Sequence, residues 1–162
     1  MILDLQTMFS GSVSADGLTK TGQAITATAI SANVLDLSGN AQQFPTTRDI
    51  DLNPDENWII AQAQTAAAGG DSAKTLTITL ESSSTADLAT TPTVHWSSKA
   101  ITGAQITAGA TLAMFSPPSD NYAKFIGLRY TVSAGFTSWN LLAYMVPDIQ
   151  RNVIYPVGFA VK

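Results

Sequence analysis

The 162-residue sequence has no cysteine, a single histidine and few charges. Without cysteine there are no disulfides and no thiolate chemistry, and a reducing cytoplasm is a suitable place to fold. Lys, Arg, Asp and Glu make up 12% of the residues, about half of the usual ~25%. The eight basic residues are scattered and the formal net charge is −4. Such a chain has no basic stripe to follow a phosphate backbone, so no nucleic-acid partner is expected. The clearest wholly apolar run, Leu141 to Val146, is far short of the ~20 residues a helix needs to span a bilayer, and no membrane partner is expected. The opening Met1-Ile2-Leu3-Asp4-Leu5 has an early acid and no basic residue before Lys20, which argues against a signal peptide. No Asn-x-Ser/Thr acceptor occurs.

A sustained 3.6-residue apolar period is also missing, so little helix is expected. The period that is present is two. Thr75-Leu76-Thr77-Ile78-Thr79-Leu80 alternates cleanly, and Ile126, Leu128, Tyr130 and Val132 share one face with Arg129 and Thr131 between them. Trp139–Val146 is more continuously apolar and reads as a central strand covered on both faces. Further strands are expected at Ala24–Ile30, Val34–Leu37, Trp58–Gln64, Thr93–Ser97, Ala100–Ile106 and Thr111–Phe115, with a short helical turn at the Ala-rich Ala61–Ala68. Breakers separate them: Asn53-Pro54-Asp55, Gly69-Gly70-Asp71, Ser116-Pro117-Pro118-Ser119 and Ser133-Ala134-Gly135. Many short strands with turns at this spacing predict one all-β domain over 1–162, a two-sheet antiparallel sandwich of which the jelly roll is one version. Two readings stand for the first 20 residues. One is an extended arm that orders against a partner; the other is an edge strand of the same subunit.

Candidate chemistry is sparse. A Ser–His–acid triad would have to use His95 as its base, but no Gly-x-Ser-x-Gly elbow accompanies it, and a structural strand histidine is the expectation. Asp49-Ile50-Asp51-Leu52-Asn53 copies the start of a calcium loop. The required glycine is Pro54 and the bidentate glutamate position is Ile60, so the loop fails, although Asp55 and Glu56 leave a looser oxygen cage open. Trp58, Trp96 and Trp139 would make a sugar-stacking platform if brought together, but Trp in strands is more often core. Lys124, Arg129 and Tyr130 are too few to make a base-stacking strand. Twelve acids give no means of pairing two of them for glycan cleavage. No enzyme activity, metal or cofactor is expected.

Specific residues then carry a resemblance. Met1-Ile2-Leu3-Asp4 with Phe9-Ser10, Gln23-Ala24-Ile25-Thr26-Ala27-Thr28-Ala29, and Ser31-Ala32-Asn33-Val34-Leu35-Asp36-Leu37 form its first part. Thr75-Leu76-Thr77 with Leu80 and Ser82, then Tyr122, Leu128 and Tyr130, form the middle. Val146, Asp148 and Gln150, followed by Tyr155-Pro156-Val157-Gly158-Phe159, form the end. In this order they resemble the capsid cement (decoration) proteins of short-tailed phages of the Bordetella-phage type, with departures at Asp16–Thr21 and Asn53–Trp58. The resemblance implies a jelly-roll subunit, made in the host bacterial cytoplasm, that forms homodimers on the outer surface of the virion and binds the major capsid protein. It implies no catalytic residue and no cofactor. Leu3, Leu5 and Phe9 near the N-terminus, and Tyr155 and Phe159 near the C-terminus, are the candidate capsid or dimer contacts, with a core role for Phe159 equally open. The competing function is a glycan- or receptor-binding β-sandwich of a phage fibre or bacterial surface.

Overall fold

The structure, a computed structural model, describes residues 7–14, 19–37 and 57–146. The described strands are β1 (Met8–Ser10), β2 (Ser12–Val13), β3 (Lys20–Thr21), β4 (Gln23–Ala24), β5 (Ala29–Ile30), β6 (Leu35–Asp36), β7 (Trp58–Ala63), β8 (Thr75–Ser83), β9 (Thr93–Ser97), β10 (Ile101–Thr102), β11 (Thr111–Phe115), β12 (Phe125–Val132) and β13 (Asn140–Val146). The two-residue period decides the inner faces. On β8, Leu76, Ile78 and Leu80 are fully buried while Thr75, Thr77 and Thr79 are partly exposed. On β7, Ile59, Ala61 and Ala63 point inward and Trp58, Ile60 and Gln62 do not. Burial of alternate side chains against a second sheet is what stabilises both strands.

The first sheet runs β1-β13-β7-β11, with β4 also on β13; the second runs β10-β8-β12-β5, with β9 also on β8 and β6 also on β12. All these pairings are antiparallel. Broken strands occupy shared positions: β1 with β4, β5 with β6, and β9 with β10. Successive positions then alternate between sheets in the order of a jelly roll, two Greek keys wound into two facing sheets. β2 and β3 form a separate small hairpin. The core between the sheets is filled by Phe9, Ile25, Ile78, Leu128, Tyr130, Trp139 and their neighbours. One polar thread crosses it. The Tyr130 hydroxyl donates to Ser10 Oγ (2.6 Å), which donates to Gln23 Oε1 (2.7 Å), so the buried phenol is satisfied, and burial raises its pKa.

Three expectations need correcting. Ala24–Ile30 is not one strand. It leaves the first sheet after β4, bends at Thr26–Thr28 and enters the second sheet as β5, with Ile25 fully buried at the crossing. Ala61–Ala68 makes no helical turn, because Ala61 and Ala63 are inward positions of β7 and the chain only bends after them. Ala100–Ile106 is strand only at β10 and then forms a 3-10 turn over Gly103–Gln105, where Gln105 Oε1 accepts the Thr102 N–H at 2.9 Å. Gly103 is required there, since a Cβ would collide with the Asp71 carbonyl oxygen. Trp139–Val146 does supply the central strand of its sheet as β13.

The first 20 residues include a core element. Met8 and Phe9 are 0% exposed and β1 pairs with β13. Buried as it is in its own subunit's core, Phe9 is corrected as a surface contact. Leu3, Leu5, Tyr155, Phe159 and the acidic stretch 49–56 lie outside the described residues.

Candidate functional site

The most chemically suggestive cluster gathers around His95. β9 pairs with β8 through Thr79↔Ser97, Leu80↔Trp96, Glu81↔Val94 and Ser82↔Thr93, so an extra residue falls between Trp96 and Val94. A bulge of this kind re-aims one side chain, and here that residue is His95. Its Nε2 lies 2.7 Å from Ser82 Oγ and its Nδ1 lies 2.7 Å from Asp120 Oδ2. The Tyr122 ring packs on the imidazole at 4.3 Å between centroids. In the tautomer with Nδ1 protonated, the imidazole donates to Asp120 and Ser82 donates to Nε2. The hydrogen bond from His95, followed by that from the Asn121 N–H, lowers the Asp120 pKa.

This connectivity is that of a Ser–His–Asp relay, yet the serine is closed. Ser82 is 1% exposed, and its Oγ also accepts the Ala123 N–H at 3.0 Å. A nucleophile must reach a substrate carbonyl, and this hydroxyl faces the protein interior with a backbone donor on it. What the arrangement does is fasten the connection between β11 and β12 to the β8–β9 edge. Asp120 and Tyr122 hold His95, and Ala123 holds Ser82.

The second polar cluster lies on the opposite face of β8. Arg129 Nε donates to Glu81 Oε2 at 2.8 Å, and the same guanidinium donates to the Leu88 carbonyl at 2.8 Å. Leu88, fully buried, folds the 84–92 connection over Gly127, where a Cβ would approach Leu88 Cδ1 to 2.9 Å. Arg129 is thus held in an ion pair, and Tyr130 beside it is buried.

The three tryptophans are not gathered on one surface. Trp139 is buried in the core, Trp96 stacks on Phe115 at 3.7 Å and 7°, and Trp58 sits on the outward side of β7. Lys124 lies over its neighbour Phe125 at 4.9 Å. No group of three or more potential metal ligands occurs among the described residues, and no described helix is long and apolar enough to cross a membrane. Among the described residues, the two large apolar side chains that are exposed are Val94 on β9 (55%) and Met114 on β11 (51%). Their strands meet across the sandwich through the Trp96–Phe115 stack.

Sequence reading identified His95 but not Ser82, Asp120, Glu81 or Met114. The bulge that turns His95 inward leaves no mark in a two-residue period, and a serine or an aspartate is too common to be singled out.

A family model described as Bbp16 matches residues 19–143, well over half of the chain. The chain belongs to the Bbp16 family. The name points to a Bordetella phage protein, which agrees with the phage-type resemblance and is compatible with a phage structural protein. The matched span covers the jelly roll from the start of β3 into β13. It excludes Met1–Phe9 and the stretch from Val146 to Phe159, which carried part of that resemblance. No curated protein matches the chain.

Proposed function

We propose that this Bbp16-family chain is a capsid cement protein, bound to the outer surface of a phage shell and bridging neighbouring major capsid proteins. The observation that carries this reading is the phage-type family match over a jelly-roll subunit. The chemistry of the described residues agrees with it. The one nucleophile–base pair is sealed inside, the ion pairs fasten connections to strands, and the exposed apolar groups lie on sheet edges.

Such a protein works by linkage. The packed genome stresses the shell, and a clamp that touches two capsid subunits must be broken before they separate. Once one contact has formed, the second is effectively intramolecular, so the pair of contacts exceeds either alone by roughly 10²–10⁴-fold. A homodimer built on one self-complementary patch doubles that footprint. The low charge gives little long-range steering, so the contacts are short-range and depend on fit.

The test uses purified shells lacking the protein. The full chain is expected to co-sediment with them to a saturable stoichiometry and to raise the temperature at which they release DNA. Binding to host polysaccharide with none to shells would replace this reading with the glycan-binding one.

A further inference from the structure

The connection 84–92, between β8 and β9, carries the backbone strain of the molecule. Among the described residues, two non-glycine positions have a left-handed backbone, Leu88 (φ 50°) and Thr91 (φ 41°), and both lie in this connection. Neither residue type favours that conformation, and a β-branched residue such as threonine is strained there. Thr91 also precedes Pro92, and a proline ring pushes the residue before it towards extended backbone. Two strained positions this close together persist only where their surroundings hold them, and such positions gather at clamps and switches.

The contacts that hold it are few. Leu88 is fully buried, while the rest of 84–92 is exposed or half-buried. Leu88 lies outside the inter-sheet core. It covers Gly127, which alternates with the core residues Ile126 and Leu128 and so faces outward from β12. Beside Gly127 the chain bows away from β12. Ile30 pairs with Arg129 and Leu35 with Ile126, so residues 31–34 pass opposite Gly127 and Leu128 alone. A Cβ on Gly127 would lie 2.9 Å from Leu88 Cδ1 and 3.0 Å from Val34 Cγ1. The absent side chain and the bowed segment together make a notch, and Leu88 fills it. Two hydrogen bonds add to this. Arg129, braced by Glu81, donates from Nη2 to the Leu88 carbonyl at 2.8 Å, and Ser83 Oγ donates to the Thr90 carbonyl at 2.7 Å. The sandwich beneath is held far more extensively, with β12 paired to β8 along its whole length.

We propose that 84–92 is a strained strap that opens as a unit, drawing Leu88 out of its notch while the sandwich stays folded. Closed, the strap masks an apolar notch the size of one leucine side chain and one donor of Arg129. Open, it presents both on the outer face of the second sheet. Opening releases the strain at Leu88 and Thr91, which brings its free energy below that of global unfolding. The device depends on the fold alone and holds whether or not the chain is a cement protein.

The chain has no cysteine, so a single introduced thiol reports its own exposure. Leu88→Cys and Ile78→Cys, the second in the inter-sheet core, are labelled with iodoacetamide under native conditions. The thiol at position 88 is expected to react about a hundredfold or more faster than the one at 78, yet at least about tenfold slower than in the urea-unfolded chain. Equal rates at the two positions would make the opening global and overturn the proposal. A rate at 88 equal to that of the unfolded chain would show that no closed state exists, with the same consequence. In the Leu88→Cys background, Thr91→Gly is expected to slow labelling by about threefold or more, because glycine adopts the left-handed backbone without strain. Thr90→Gly, at a position that is not left-handed, is expected to speed it by favouring the open chain. Acceleration by both glycines would show that no strain is stored at Thr91 and would overturn the proposal. The unsubstituted chain supplies an independent measurement. Its Leu88 N–H donates to the Thr85 carbonyl at 3.1 Å and is expected to exchange faster, and with weaker urea dependence, than the amides between β8 and β12. Exchange of that amide in step with those of the ladder would overturn the strap.

Discussion

Replacing Phe9 with alanine removes a ring that is completely buried between the two sheets, in a strand of only three residues. Ile25, Leu128, Tyr130 and Leu141 belong to the same core cluster, so the lost volume would leave a cavity in a close-packed interior. A Phe→Ala change of this type costs about 3–5 kcal/mol. At roughly 2–4 °C per kcal/mol for a domain of this size, the melting midpoint should fall by about 6–20 °C. Thermal and urea unfolding of the full chain, followed by far-UV circular dichroism, measure this. Met114→Ala serves as the control and should stay within about 0.5 kcal/mol, being half exposed. By the same reasoning, removal of Met1–Phe9 takes Met8 and Phe9 from the packed interior and should destabilise the domain at least as much as Phe9→Ala. An N-terminal arm that serves only a partner predicts the reverse: a truncated domain of parental stability that has lost shell binding. A loss below about 1 kcal/mol for Phe9→Ala would refute the burial argument and restore that arm.

Other consequences follow from particular contacts. Ser82→Ala leaves the Nε2 of the fully buried His95 ring without its partner and takes the acceptor from the partly buried Ala123 N–H, and should cost about 1–3 kcal/mol in urea unfolding; an unchanged midpoint would mean that the His95 cluster fastens nothing. Gly103→Ala should prevent native folding, because the new methyl meets the main-chain oxygen of Asp71, and a soluble variant with the parental melting curve would contradict the placement of that 3-10 turn. The carboxyls of Asp71, Asp87 and Asp120 are held below their ordinary value of 3.8, chiefly by hydrogen bonds from Lys74, Thr85 and His95 respectively. Their folded values lie under their unfolded ones, so the stability they contribute is present above about pH 4 and lost as pH falls through the lowered range. Asp71→Asn should lower stability at pH 7 and narrow the difference between pH 7 and pH 3, measured by urea unfolding at each pH.

The two-residue period made most of the fold legible. β9 and β11 occupy the predicted ranges, and β7, β8, β12 and β13 differ only at their ends, because each places alternate apolar residues on an inner face that must be buried. Where the chain changes sheets, period alone is blind. Gln23–Ile30 alternates no differently at its bend than within its strands, and the bend is set by Ile25 reaching the core between two sheets that sequence cannot show. The 3-10 turn after β10 depends on a contact between Gly103 and Asp71, distant in sequence. The candidate site was legible only as His95. Its partners Ser82 and Asp120 are brought to it by strand register and by the crossing from β11 to β12, neither of which is local. Phe9 misled because a short apolar segment near a terminus reads the same whether it packs inward or outward.

The most direct measurement of the account is a binding titration of the full chain on purified undecorated shells, with copies per shell counted and DNA release followed on heating. The cement reading predicts saturation at a fixed ratio to the major capsid protein and release at a higher temperature in the decorated shells. Shells that take up no protein, or that release DNA at the same temperature with the protein bound, would contradict it.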